Sequence, residues 1–195
     1  MVKNHAIRLI TLLVIAFVTG CYMPRLQRDQ SYPADWPDIQ SLGPECSDLD
    51  GTYGNDGTMV GTNGSKRTVL LTDILLRRQL SAEAKTVTLK VRKQKFGLAS
   101  YRTLQIDVDY GKGMRDNFSL GGVGHSFYSK GALIFGSHDR ETSILRYIYL
   151  TRAPDGSLIV KIRIISRYIV FFFFAGGDYK RVEYSEWARF NSVVD

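Results

Sequence analysis

The amino-acid sequence predicts a mainly β protein, an antiparallel small barrel or strongly curved sheet of about seven to nine strands with one short helix. Two alternating segments and one turn carry that expectation. Residues 86–92 and 104–110 alternate polar and apolar side chains. A period of two puts one set on a core face and the other in water, the pattern of a half-buried antiparallel strand. Between two β-branched runs lies Ala153-Pro154-Asp155-Gly156. Proline presets φ and glycine accepts a positive φ, so this segment reads as a hairpin turn.

Taken in order, the folded domain spans residues 46–195 and enters its first strand near Asp48-Leu49-Asp50-Gly51-Thr52-Tyr53. Thr72 and Asp73 are placed to cap a helix over residues 73–80. Ile74, Leu75 and Leu76 give it an apolar face, and Arg77 and Arg78 complement the dipole near its end. In the first alternating strand Val87, Leu89 and Val91 face inward, and in the second Leu104, Ile106, Val108 and Tyr110 do so. Their outward residues are complementary. Lys90 and Arg92 are expected opposite Asp107 and Asp109, which makes the basic stripe sheet surface rather than a binding patch. Residues 111–136 contain seven glycines and read as loops around short strands. Strands are then expected over residues 143–152, 157–166, 168–174 and 182–190. Residues 169–174, Ile-Val-Phe-Phe-Phe-Phe, are far too short to cross a bilayer as a helix. Such a run is buried on both faces, or one face meets a pocket, a partner or lipid.

The amino terminus has a different character. Lys3 and Arg8 accompany a ten-residue apolar stretch, residues 9–18, broken only by Thr11. That is the layout of a secretory signal. Val18-Thr19-Gly20-Cys21 resembles the lipobox of bacterial lipoproteins. The resemblance implies that residues 1–20 are a signal peptide and that Cys21 becomes an acylated amino terminus, a palmitate-type lipid anchor in the membrane. Tyr22, rather than Asp, after the cysteine implies the outer membrane, facing the periplasm. An ordinary cleaved signal and an uncleaved anchor are the other readings of the segment. Residues 21–45 carry four of the five prolines and read as a lipidated cysteine and flexible tether, with Trp36 docked on the domain or at the bilayer.

Cleavage after Gly20 leaves 175 residues, enough for one domain. It removes Lys3 and Arg8 from a total of 26 basic residues against 19 acidic ones, leaving a net charge of +5. That excess suits anionic lipid headgroups or acidic polymers, and an exported chain is not expected to meet nucleic acid. With Cys21 acylated, Cys46 has no partner and is expected buried or paired with another chain. Without acylation, a Cys21–Cys46 disulfide is the alternative.

No catalytic set assembles from the sequence. His125 and His138 beside Cys46 are the residues of a hydrolase reading, but no nucleophile signature surrounds them. Metal is not expected: Cys46, His125 and His138 are scattered, and the acidic residues 48–56 lack the calcium-loop pattern. The glycines at 111–113 and 121–124 do not form a phosphate loop, and no cofactor is implied. Tyr147, Tyr149, Tyr168, Phe172 and Phe174 fall in strand segments and are the candidates to line a ligand pocket inside a barrel, or else to fill its core.

Gly51-Thr52-Tyr53 resembles the entry strand of lipocalin-type barrels, with Tyr53 where lipocalins carry Trp. The Asp-Leu-x-Gly-x-Tyr start and the ending Trp187-Ala188-Arg189-Phe190 are similar to small β-rich lipoproteins of proteobacteria. The expectation is a non-enzymatic, lipid-anchored envelope lipoprotein that binds a protein partner or envelope component. A lipocalin-like carrier of a small hydrophobic ligand is the alternative, and a hydrolase the third reading.

Overall fold

The computed structural model describes residues 26, 28–76, 84–96, 99–121, 126–129, 131–139, 144–172 and 176–193. A 3-10 turn, Ser47–Leu49, leads into β1 (Gly51–Val60), β2 (Lys66–Leu70) and the helix α1 (Leu71–Leu76). There follow β3 (Thr86–Phe96), β4 (Ala99–Gly111), β5 (Met114–Gly121), β6 (Ser126–Ser129) and β7 (Ala132–Asp139). The chain ends with β8 (Ile144–Arg152), β9 (Leu158–Phe172) and β10 (Gly176–Ser192).

The fold is mainly β, as expected, with ten strands where about seven to nine were expected: one sheet in the order β5-β4-β3-β1-β10-β9-β8-β7-β6, with β2 paired to β1 beside β3. Every ladder is antiparallel. The sheet is strongly curled and brings β6 against β4. Past Gly121 the edge of β4 is free of β5, and there the Ser126 hydroxyl of β6 donates to the Arg102 carbonyl of β4.

The interior is filled. Tyr53, Leu89, Leu104, Ile106, Leu133, Leu150, Leu158 and Phe190 are fully buried together. Each such side chain contributes about 1.5–3 kcal/mol by leaving water. Leu42, Cys46 and Leu49 join this core at one end, and Ile74 and Leu75 of α1 join it at the other. The Pro154-Asp155-Gly156 turn connects β8 to β9 as expected, with Gly156 at φ 85° and the Asp155 carboxylate accepting from the Ser157 amide at 3.0 Å.

Four details differ from the sequence expectation. The helix begins at Leu71, because its cap comes from another element. The Asn55 amide oxygen on β1 accepts the Thr72 N–H at 3.0 Å, and its nitrogen donates to the Ala84 carbonyl at 3.1 Å. The β3–β4 register places Thr88, not Lys90, opposite Asp107; Lys90 reaches Asp107 diagonally at 4.0 Å, and Asp109 pairs with Arg115 of β5 at 3.3 Å. The strands expected over 157–166 and 168–174 are one, β9, since no glycine or proline interrupts them.

The fourth concerns residues 28–45, expected as part of a flexible tether. They form a strap across the outside of the barrel. Gln40 bridges to Arg152, the Leu42 amide donates to the Gly131 carbonyl at 2.9 Å, and Tyr32 and Trp36 are buried against Val60, Ile159 and Trp187. Tyr32 stands edge-on to Trp187 and to Trp36, with ring centroids 4.8 and 5.9 Å apart. The prolines set bends in this strap, and its aromatic residues supply the apolar contact that holds it.

Candidate functional site

Inside and outside of the barrel are set by strand alternation. On β8, Ile148 and Leu150 belong to the main core, whereas Tyr149 and Tyr147 pack outside with Ala132, Ile134 and Leu26. Of the expected pocket residues, Tyr147 and Tyr149 therefore line the outer wall, not a cavity. Their phase is opposite to that of the core leucines. Tyr168 and Phe172 hold backbone positions on β9 opposite Lys180 and Gly176. Phe174, His125 and Cys21 lie outside the described residues, and His138 sits opposite Leu145 on β7.

Cys46 is buried at the entry to the 3-10 turn, in a left-handed conformation with φ 58°. Burial pushes its thiol up to about 11, against the opposing pull of Arg102. Buried with its pKa raised, the thiol lacks the electropositive, partly exposed surroundings that activate a cysteine. Among the described residues no group of three or more His, Cys, Asp and Glu side chains is placed to hold a metal ion.

The concave apolar surface lies at the barrel end closed by α1. On one side of the helix a cleft of about 410 Å³ is lined by Met59, Val69, Ile74, Ile162 and Ile164, together with Arg67, Asp73, Arg146 and Glu186. On the other side a cleft of about 390 Å³ is lined by Leu75, Leu76, Leu120, Phe135 and Ile148. Arg146 reaches across to the Ile74 carbonyl at 3.4 Å, and Arg67 grips both Glu186 oxygens at 3.0 Å. The Asp73 Oδ1 atom is buried there without a hydrogen-bond partner among the described residues.

These charged residues escape a motif search because they come from β2, α1, β8 and β10. Their signal is phase. Arg146 occupies an inward position in line with Ile148 and Leu150, and Glu186 one in line with Ala188 and Phe190. A charge at a core position of an alternating strand marks a place where the barrel interior opens to solvent.

A further concavity, about 540 Å³, runs over the outer face of β1, β3, β4 and β5 between Thr88, Lys90, Asp107 and Arg115. Its walls are threonines and paired charges, the solvated face the alternation foretells. No protein-family model matches the chain, and no curated protein shows significant similarity to it.

Proposed function

We propose that this protein is a non-enzymatic, lipid-anchored envelope lipoprotein whose barrel binds a protein partner or envelope component at the α1 end. The observation that carries the reading is the filled interior, closed by Leu42, Cys46 and Leu49 at one end and by Ile74 and Leu75 at the other. A barrel so packed presents its binding surfaces outside, and the clefts flanking α1 combine apolar walls with Arg67, Asp73, Arg146 and Glu186. Such a mixture suits an amphipathic segment better than a purely apolar molecule. The Val18-Thr19-Gly20-Cys21 sequence supports the anchor and an outer-membrane location facing the periplasm.

The two clefts also favour a second reading, a lipocalin-like carrier holding a small hydrophobic ligand beside α1. Native mass spectrometry of residues 21–195 with Cys21→Ser, exported behind an ordinary cleavable signal and gently purified, separates the two. The first reading predicts the bare chain mass. A discrete excess mass that organic extraction removes would transfer the function to the carrier reading and supply the ligand.

A further inference from the structure

The longest ladder of the sheet, β9 with β10, outruns its neighbours. β8 last pairs with β9 at Ser166, opposite Ile144, and β1 last pairs with β10 at Trp187, opposite Val60. Beyond these points, among the described residues, residues 167–172 and 176–181 are paired in the ladders only with each other. They form a two-stranded ribbon about 20 Å long. A ribbon of two strands is marginal in water without a third strand or a packed face. This one carries the apolar run Ile169-Val170-Phe171-Phe172, continued in sequence by Phe173 and Phe174. At its base Val182 and Tyr184 are 41% and 42% exposed, among the few large apolar side chains in the described residues left so open.

Charge is arranged in the reverse order. Arg167 lies directly opposite Arg181, and Lys180 opposite Tyr168, with Asp178 the sole acid over residues 167–181. Like charges directly opposite each other destabilise a ladder. Two arginines at one rung become favourable when an anion sits between them. Cationic base, aromatic middle and apolar end is the sequence of environments met on entering an anionic bilayer from water.

We propose that this ribbon is a second membrane contact, which enters the headgroup region of an anionic bilayer beside the lipid anchor; its placement rests on the lipid-anchor reading above. The strap limits the distance between anchor and ribbon. Leu26 packs against the outer cluster of Ala132, Ile134 and Tyr149, and Tyr149 is opposite Lys161 on β9. The five residues from Leu26 to Cys21 span at most about 17 Å. Ile169 stands eight residues beyond Lys161 along β9, about 26 Å. These lengths allow an inclined ribbon to reach with its apolar end the bilayer that holds Cys21.

The test uses residues 21–195 with Cys21→Ser, released from an ordinary cleavable signal and so without either the acyl chain or the apolar residues 9–18, and vesicles of phosphatidylglycerol with phosphatidylethanolamine, or of phosphatidylcholine alone. Sedimentation is expected to show binding to the anionic vesicles only, weakened by salt. Binding falls about tenfold in Phe171→Ser/Phe172→Ser and in Arg167→Glu/Arg181→Glu, while the near-ultraviolet dichroism of Trp36 and Trp187 stays unchanged. A Phe172→Trp variant keeps the test open if either double variant misfolds: its emission shifts to the blue with anionic vesicles. Absence of binding by the unacylated protein, equal binding by the folded variants, or no spectral shift overturns the proposal. Because the protein tested carries no lipid, each of these results leaves the acylation of Cys21 to be judged separately.

Discussion

Replacing Asp29 by Ala releases the strap from the barrel, and the structure sets the scale of the loss. The Asp29 carboxylate accepts from the Ser31 amide at 3.0 Å, the Ser185 hydroxyl at 3.2 Å and the Trp187 indole at 3.0 Å. It also pairs with the Lys161 ammonium at 2.6 Å, with side-chain exposures of 15% for Lys161 and 35% for Asp29. Exposed ion pairs contribute under about 1 kcal/mol, and breaking a buried one costs about 3–5 kcal/mol. This half-open cluster falls between, at about 2 kcal/mol once solvent screening is allowed for. In a chain of this size that lowers Tm by about 4–8 °C. Asp29→Asn keeps the shape and loses the Lys161 charge pair, so its loss is about half as large.

The same cluster fixes a pH signature. Burial raises the Asp29 carboxyl, but the hydrogen bonds from Lys161, Ser31 and Trp187 and the Lys161 charge outweigh it and hold the group well below the usual carboxylate range. A folded-state pKa below the unfolded one means stability present at neutral pH and lost as pH falls below about 4. The Tm gap between wild type and Asp29→Asn therefore narrows in acid. Thermal melts over pH 2–7, paired with limited proteolysis of residues 28–45, check both parts. A Tm unchanged within about 1 °C, with proteolysis no faster than wild type, refutes the account of the strap.

Asn55→Ala removes the cap of α1 and leaves the Thr72 amide and Ala84 carbonyl without their partner, at a cost of about 2–3 kcal/mol in urea unfolding. Gly57→Ala forces a methyl group into the Phe190 ring and to within 2.6 Å of the Arg189 carbonyl; the same assay should register a loss of about 1–3 kcal/mol. The Cys46 thiol resists alkylation at pH 8 in the folded protein and reacts fully in denaturant, as timed labelling will show. Because its folded-state pKa of about 11 lies above the ordinary thiol value, the native state holds its proton longer, and stability declines as pH rises from about 9 toward 11.

Much of this architecture is legible from alternation. Val87, Leu89 and Val91 and then Leu104, Ile106 and Val108 declare their faces, and all six are buried in the core. What escapes sequence reading is made by distant partners. The β3–β4 register is set by the whole ladder, so Lys90 stands opposite Gln105 and reaches Asp107 only diagonally. Asn55 caps a helix that starts sixteen positions later, and proline-rich residues 28–45 become a strap because Asp29, Tyr32 and Trp36 meet Lys161 and Trp187. The clefts beside α1 are harder still to see, since four elements each contribute a charged residue. Tyr147 and Tyr149 show how an aromatic count misleads: their phase along β8, not their chemistry, decides which side of the wall they occupy.

The central claim is that the mature chain begins at an acylated Cys21 and works at the membrane with the outside of a filled barrel. Intact-mass spectrometry of the full-length protein, extracted from membranes of the expressing bacterium, tests it most directly. The expected product is a chain of residues 21–195 carrying the added mass of its acyl groups, and for Cys21→Ser in the native precursor an unacylated, unprocessed chain. An unmodified Cys21, or a mature chain that starts at another residue, contradicts it.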